Sequence, residues 1–220
     1  AWLLEELEQE IIQAGPDTVA LLVIEPVQNS GGCLVPPAGY LEGVRALCDE
    51  YGILLCADEV INGFGRLGDW LGSNRHDLKP DLISVAKGLS SAYATVGASI
   101  VHERLVEPFL EDRAMFTHGS TFGGHPVQAA VALKNLEIIR REGLVEHVRD
   151  TEAEFRATLN QLADLPLVGD IRGEGFFYAI ELVRDKETKA TFNDAESEQL
   201  LRGFLTPRLF EAGLICRADD

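Results

Sequence analysis

The chain has 220 residues, 46% of them hydrophobic and 25% charged, the composition of a soluble globular protein with one substantial core, or one domain with part of a second. Nineteen basic residues against 36 acidic ones give a formal charge of −17, a surface that repels nucleic acid and anionic membranes. No stretch approaches the ~18 uninterrupted apolar residues of a transmembrane helix.

The opening Ala1-Trp2-Leu3-Leu4-Glu5-Glu6 has neither the basic region nor the apolar stretch of a secretory signal. Residues 3–14 read as a helix with Leu3, Leu4, Leu7 and Ile11 on its apolar face, stopped by Gly15-Pro16-Asp17. Residues 18–25 form a nearly continuous apolar strand, beyond which Pro26 interrupts regular pairing. After Pro36-Pro37, residues 38–51 read as a helix whose inner face holds Tyr40, Val44, Leu47 and Cys48, with Gly52 as C-cap.

Strands follow at 52–60, 82–86 and 96–101, so strands and helices alternate at short spacing. That is the rhythm of an α/β fold, a mainly parallel sheet with flanking helices. Helical patterns occupy 126–140 and 143–162, and Pro166-Leu167-Val168-Gly169 begins another unit. Residues 175–182 have strand composition, 194–210 resume a helical pattern, and 213–216 read as a last strand cut short. A domain change is expected near residue 145, dividing 1–145 from 146–220.

Cys33, Cys48, Cys56 and Cys216 lack CxxC spacing, which predicts reduced, mostly buried thiols in a cytoplasmic protein. His76, His102, His118, His125 and His147 are scattered without metal-ligand spacing, so no metal site is expected.

Lys87 carries the most chemistry. It follows the apolar run Leu82-Ile83-Ser84-Val85-Ala86 and precedes a Gly/Ser turn, at a strand end where open α/β sheets gather ligands. The strand 29 residues earlier ends in Asp58. A lysine amine and a carboxylate in one crevice can bond an aldehyde and hold a protonated ring nitrogen, the outline of pyridoxal phosphate chemistry. Asp58 is therefore the candidate for the ring nitrogen. Glu59 should project oppositely, and Val60 should return to the cofactor side. The loop Phe116 to Pro126 precedes a helix, and its small residues, hydroxyls and free N–H groups suit a phosphate, with Thr121 the first choice and Ser120 the second. Each has a plainer alternative: a cap for Asp58, an ordinary exposed lysine for Lys87, helix capping for the loop.

Together these residues resemble the class III, or omega, aminotransferases of PLP fold type I. The match runs through Ile24-Glu25-Pro26-Val27-Gln28-Asn29-Ser30-Gly31-Gly32, Ala57-Asp58-Glu59-Val60-Ile61-Asn62-Gly63-Phe64-Gly65-Arg66-Leu67-Gly68, Ser84-Val85-Ala86-Lys87-Gly88-Leu89 and His118-Gly119-Ser120-Thr121-Phe122-Gly123-Gly124-His125-Pro126. The resemblance implies a pyridoxal 5′-phosphate enzyme that moves an amino group from an amine or omega-amino acid to pyruvate or another 2-oxo acid. It implies a homodimer with its active sites at the interface, Thr121 reaching the neighbouring subunit's cofactor phosphate. Lys87 would take the aldehyde carbon, Asp58 the pyridine nitrogen, Val60 the ring face, and Glu25 would help organise the pocket. Residues 1–145 would belong to the large cofactor domain and 146–220 to a small α+β C-terminal domain. Arg217 is the match for a substrate-carboxylate clamp, though Asp219 and Asp220 could be its only partners.

Ser30 stands where relatives acting on GABA or ornithine tend to carry an acidic residue, which tilts the reading toward amine or omega-amino-acid donors with pyruvate as acceptor. The resemblance also implies that a Gly/Ser phosphate loop, a ring-stacking aromatic and a last C-terminal segment lie outside these residues. Related outcomes of the same chemistry are a mutase, racemase or decarboxylase. A catalytically silent subunit of the same fold is the reading from a different class.

Overall fold

The computed structural model describes residues 2–111 and 115–218. In chain order the first elements are α1 (Trp2–Ala14), β1 (Leu21–Ile24), α2 (Tyr40–Tyr51), β2 (Leu54–Asp58), α3 (Gly72–Arg75), β3 (Leu82–Val85), β4 (Ala98–Val101) and α4 (Glu103–Glu111). Then come α5 (Pro126–Arg141), α6 (Leu144–Asn160), β5 (Val168–Glu174), β6 (Phe177–Leu182), α7 (Asp194–Ser197) and α8 (Thr206–Glu211), the last two joined by a π-helical stretch, Glu198–Leu205.

The main sheet has the order β1-β2-β3-β4, parallel through β3 and antiparallel at β4. The pairs Leu22↔Leu55, Ile24↔Ala57 and Ala57↔Ile83 put these apolar side chains on one face. There they meet Ile11 of α1 and Leu41, Val44 and Cys48 of α2. The α2 helix ends where Gly52 takes φ +68° and the Ile53 N–H reaches back to the Cys48 carbonyl at 2.8 Å. That same bond removes Ile53 from the β2 ladder, so the strand starts two residues later than its apolar composition predicts. On the other face lie Leu21, Val23, Cys56 and Asp58. Leu21 is 41% exposed and Val23 57%, so among the described residues this face is left partly open along β1.

The β2–β3 pair is braced at its far end by Asp81, only 6% exposed. Its carboxylate accepts the Leu55 N–H at 2.8 Å and an Arg45 guanidinium N–H at 3.1 Å, and it pairs with Arg104. Burial alone would push this carboxyl up. The Leu55 N–H and the two guanidinium groups outweigh it and hold the group below the usual carboxylate range. A depressed carboxyl adds stability that is present above the unfolded-state value, about 3.9, and is lost as pH falls through the folded value. Asp81→Asn is therefore expected to cost about 3 kcal/mol at neutral pH. In urea unfolding, the gap from wild type should narrow as the pH drops below about 4. A gap that stays constant through that range would contradict the assignment.

Three more elements differ from the sequence reading. The strand expected over 18–25 shortens because residues 16–18 form a 3-10 turn, with the Thr18 hydroxyl on the Ala14 carbonyl at 2.8 Å. The helix over 103–111 has no counterpart in the sequence reading and contains Pro108. The strand expected over 213–216 does not form. Gly213, at φ +85°, closes α8, and the Leu214 N–H turns back to the Leu209 carbonyl at 2.8 Å. The β5–β6 sheet has two strands, and the tail joins neither edge. Among the described residues no helix is long and apolar enough to cross a membrane.

Candidate active site

The strands that lead to Asp58 and Lys87, β2 and β3, run parallel and end side by side, but the two side chains line separate clefts rather than the single crevice expected from the sequence. Asp58↔Ser84 is the last register pair, and the Glu59 N–H extends the ladder by one bond to the Ser84 carbonyl at 2.9 Å. Lys87 follows three residues later, opening a 3-10 turn over Lys87–Leu89 with its own φ at +34°. A non-glycine residue in that region is unfavourable and persists only where its surroundings enforce it. Here they do. The Leu89 N–H bonds the Ala86 carbonyl at 2.8 Å and the Ser91 N–H bonds the Lys87 carbonyl at 2.9 Å. From α5, the buried Asn135 carboxamide donates to the carbonyls of Gly88 at 2.9 Å and Leu89 at 3.1 Å. A Cβ added at Gly88 would sit 3.1 Å from Phe64 Cβ and 3.3 Å from the Gly63 carbonyl oxygen, so the lysine turn lies against that loop with little room to spare.

Past Asp58 the chain leaves the strand. The Asp58 carboxylate accepts the Val60 N–H at 3.0 Å, a local turn that ends β2 two residues earlier than expected. The strict alternation used to place Val60 on the cofactor side therefore does not reach it; Val60 is half-buried just beyond the strand. Glu59 is fully buried, and its carboxylate accepts the Gly72 N–H at 2.8 Å and the Ser73 N–H at 2.6 Å. These bonds satisfy the first amides of α3, so Glu59 is not available to a ring nitrogen. Asn62, also fully buried, accepts from the Val27 N–H and donates to the Val27 carbonyl, both at 3.0 Å.

Glu25, half-buried at the end of β1, accepts the Asn29 N–H at 3.1 Å. It shares a cleft of about 330 Å3 with Asp58, Gln28, Val23 and Ile24. Lys87 is exposed and lines a neighbouring cleft of about 240 Å3 with Phe64, Arg66, Ser91, Ile139 and Phe176. The Phe176 N–H bonds the Arg66 carbonyl at 2.9 Å, so the turn before β6 helps form this cleft. Arg75 ties the same regions together. Its guanidinium is bidentate on Glu152 of α6 at 2.9 Å and reaches Glu174 of β5 at 2.9 Å, while Glu152 also accepts the Gly175 N–H at 2.8 Å. Burial would raise the Glu174 carboxyl, but His76 at 3.1 Å and Arg75 outweigh that and hold it low.

The phosphate candidates stand apart from this cluster. Thr121 and Ser120 are exposed on the loop before α5, where the Ser120 carbonyl accepts the Gly123 N–H at 2.9 Å. Arg217 is exposed on the tail after α8, and the suggested partners Asp219 and Asp220 lie outside the described residues. Among those described, no group of three or more His, Cys, Asp or Glu side chains could hold a metal ion. Of the residues with structural authority over the site, sequence reasoning missed Asn62 and Asn135. Asn135 had left a trace: it lies on the Ala132–Ile139 stripe of α5, where a polar residue must find a partner.

The half-buried carboxylates of Asp58 and Glu25, with Gln28, line one cleft, and Lys87 on the turn after β3 lines another. A carboxylate is the kind of group that suits a protonated ring nitrogen, and a lysine amine the kind that suits an aldehyde carbon. Known proteins resemble the chain in sequence and fold. The chain is 53% identical over its whole length to a protein of Mycobacterium tuberculosis named as a probable aminotransferase, covering 47% of that relative. It is 43% identical over 99% of its length to the putrescine–pyruvate aminotransferase of Pseudomonas aeruginosa, again covering 47% of it. The crystal structure of an (S)-enantioselective omega-transaminase from Thermomicrobium roseum superposes with a TM-score of 0.91 at 39% identity, over 99% of this chain and 48% of that one. The chain thus spans about half the length of these relatives, and its sheet and flanking helices have their fold type I architecture. A family model described as aminotransferase class-III matches residues 1–218, and the chain belongs to that family.

Proposed function

We propose that the natural protein containing this chain is a pyridoxal 5′-phosphate enzyme that moves an amino group from an amine or omega-amino acid to pyruvate or another 2-oxo acid. The observation that carries this reading is the placement of Asp58 and Lys87 at the ends of adjacent, hydrogen-bonded parallel strands. When bound, the cofactor supplies an electron-withdrawing ring and an aldehyde carbon open to amines. Lys87 would hold the cofactor through that carbon and, as a free amine, would move a proton at the substrate's α-carbon. Asp58 holds a proton at the ring nitrogen, a pairing strengthened by its half-buried position. Glu25 lines the same cleft and orients the pocket around Asp58, and Val60 would pack on the ring, a role that rests on the family resemblance rather than on strand alternation.

Thr121, with Ser120 beside it, reaches the phosphate of a neighbouring subunit's cofactor in a homodimer. Support comes from the apolar surface flanking them: Phe116 is 70% exposed and Phe122 71%, which suits an interface better than water. Arg217 clamps a substrate carboxylate through its planar fork. Ser30 and the putrescine–pyruvate relative both favour an amine donor with pyruvate as acceptor. Residues 1–145 form part of the large cofactor domain and 146–220 part of a small C-terminal one. Free, buried thiols at Cys33, Cys48 and Cys56 support a cytoplasmic protein.

The test uses the intact protein with an amine donor, first without acceptor. One carbonyl product per active site, followed by arrest until pyruvate is added and alanine appears, is the expected result. Continuous turnover of donor alone would indicate a decarboxylase, racemase or mutase, and no product from any donor would indicate a silent subunit.

A further inference from the structure

The ladder between β1 and β2 ends at Ile24↔Ala57, yet beyond it Pro26 and Val27 on one side and Glu59 on the other are buried. Pro26 has no N–H to give, and Val27 is fully buried one residue later, with both backbone polar groups removed from strand pairing and from water. The Asn62 carboxamide takes both. It presents a carbonyl to the Val27 N–H and an amide N–H to the Val27 carbonyl, each at 3.0 Å, as a paired strand would. Around it the fit is close: a Cβ on Gly72 would stand 3.0 Å from Asn62 Cβ, from Leu67 Cδ1 and from Pro26 Cβ. Glu59 fastens the other side of the same block through the Gly72 and Ser73 amides.

We infer that Asn62 is a positioning residue that fixes the spacing between Glu25 and Asp58, the two carboxylates lining one cleft. Val27 lies two residues after Glu25, and Asn62 four residues after Asp58, so this side chain cross-links the two segments just beyond the end of the ladder. It touches no reacting atom. It acts through Val27, holding the end of β1 in register with the end of β2, and so sets where the Asp58 carboxylate meets a ring nitrogen. The inference rests on the cofactor reading proposed above.

The experiment compares Asn62→Asp with wild type in the intact, cofactor-loaded protein. The substitution keeps the acceptor for the Val27 N–H but replaces the donor with an oxygen facing the Val27 carbonyl. Val44→Ala, a core truncation under α2, is the control for lost stability without lost positioning. Small displacements of a catalytic constellation cost up to about a hundredfold in rate. Asn62→Asp is therefore expected to weaken pyridoxal phosphate binding roughly tenfold or more and to lower kcat more than KM. It should also shift the pH at which the bound cofactor's absorbance titrates. Val44→Ala should lower the melting temperature while leaving those three readouts near wild type. If Asn62→Asp does not fold, Asn62→Ser, which keeps a smaller donor and acceptor at the site, takes its place. Affinity, kcat/KM split and titration matching Val44→Ala would overturn the inference. Wild-type protein that forms no reducible adduct with pyridoxal phosphate at Lys87 would overturn the cofactor reading instead, so the two failures are distinguishable.

Discussion

Lys87→Ala in the intact protein is expected to lower amino transfer by on the order of 10⁴-fold, because one substitution removes both the covalent anchor and the group that moves the α-carbon proton. The fold should survive. Lys87 is exposed, and what holds its turn is backbone and Asn135 bonding that does not use the ammonium group. Alanine keeps the Cβ in the same left-handed backbone, so no new strain is introduced at φ +34°. A melting temperature near that of wild type, together with retained non-covalent cofactor binding, is the expected companion result. Added small amines should restore part of the lost proton transfer. Turnover within about tenfold of wild type would mean that another residue does this work.

Asp58→Asn is the second large effect, on the order of 10²–10³-fold in the chemical step and small in substrate docking. The carboxamide oxygen can still accept the Val60 N–H, so the turn that ends β2 is preserved. What is lost is the negative charge that keeps a proton on the ring nitrogen. Single-turnover kinetics of fully loaded protein isolates the step, since a fall in KM or in occupancy would not register there. Near-normal α-carbon proton abstraction in such a variant would refute the role.

Much of this arrangement is legible in the residues, for physical reasons. The 82–86 run and the 52–60 run are too short and too uniformly apolar for amphipathic helices, and their ends place Lys87 and Asp58 without any knowledge of packing. Gly52 caps α2 because a left-handed residue was needed there. Strand ends are harder to read, since they depend on where neighbouring backbone runs out. Val60 shows this: alternation holds only while the ladder lasts, and the Asp58 carboxylate breaks it two residues short. The tail at 213–216 shows it again, with strand composition but no partner strand.

Asn62 and Asn135 were illegible for a different reason. An asparagine before a glycine, or in the middle of a helix, has the same spelling whether it is solvated or buried; only the burial of Val27 and of the lysine turn makes the two carboxamides indispensable. Thr121 and Ser120 are assigned by motif, and their phosphate role is part of the homodimer reading proposed above.

The central claim is that Lys87 is the residue bonded to the cofactor. Intact protein loaded with pyridoxal phosphate, reduced with borohydride and digested, should carry the pyridoxyl mass on the peptide containing Lys87, and Lys87→Ala should abolish that adduct. An adduct on Lys79, Lys134, Lys186 or Lys189, with Lys87 unmodified, would contradict the account.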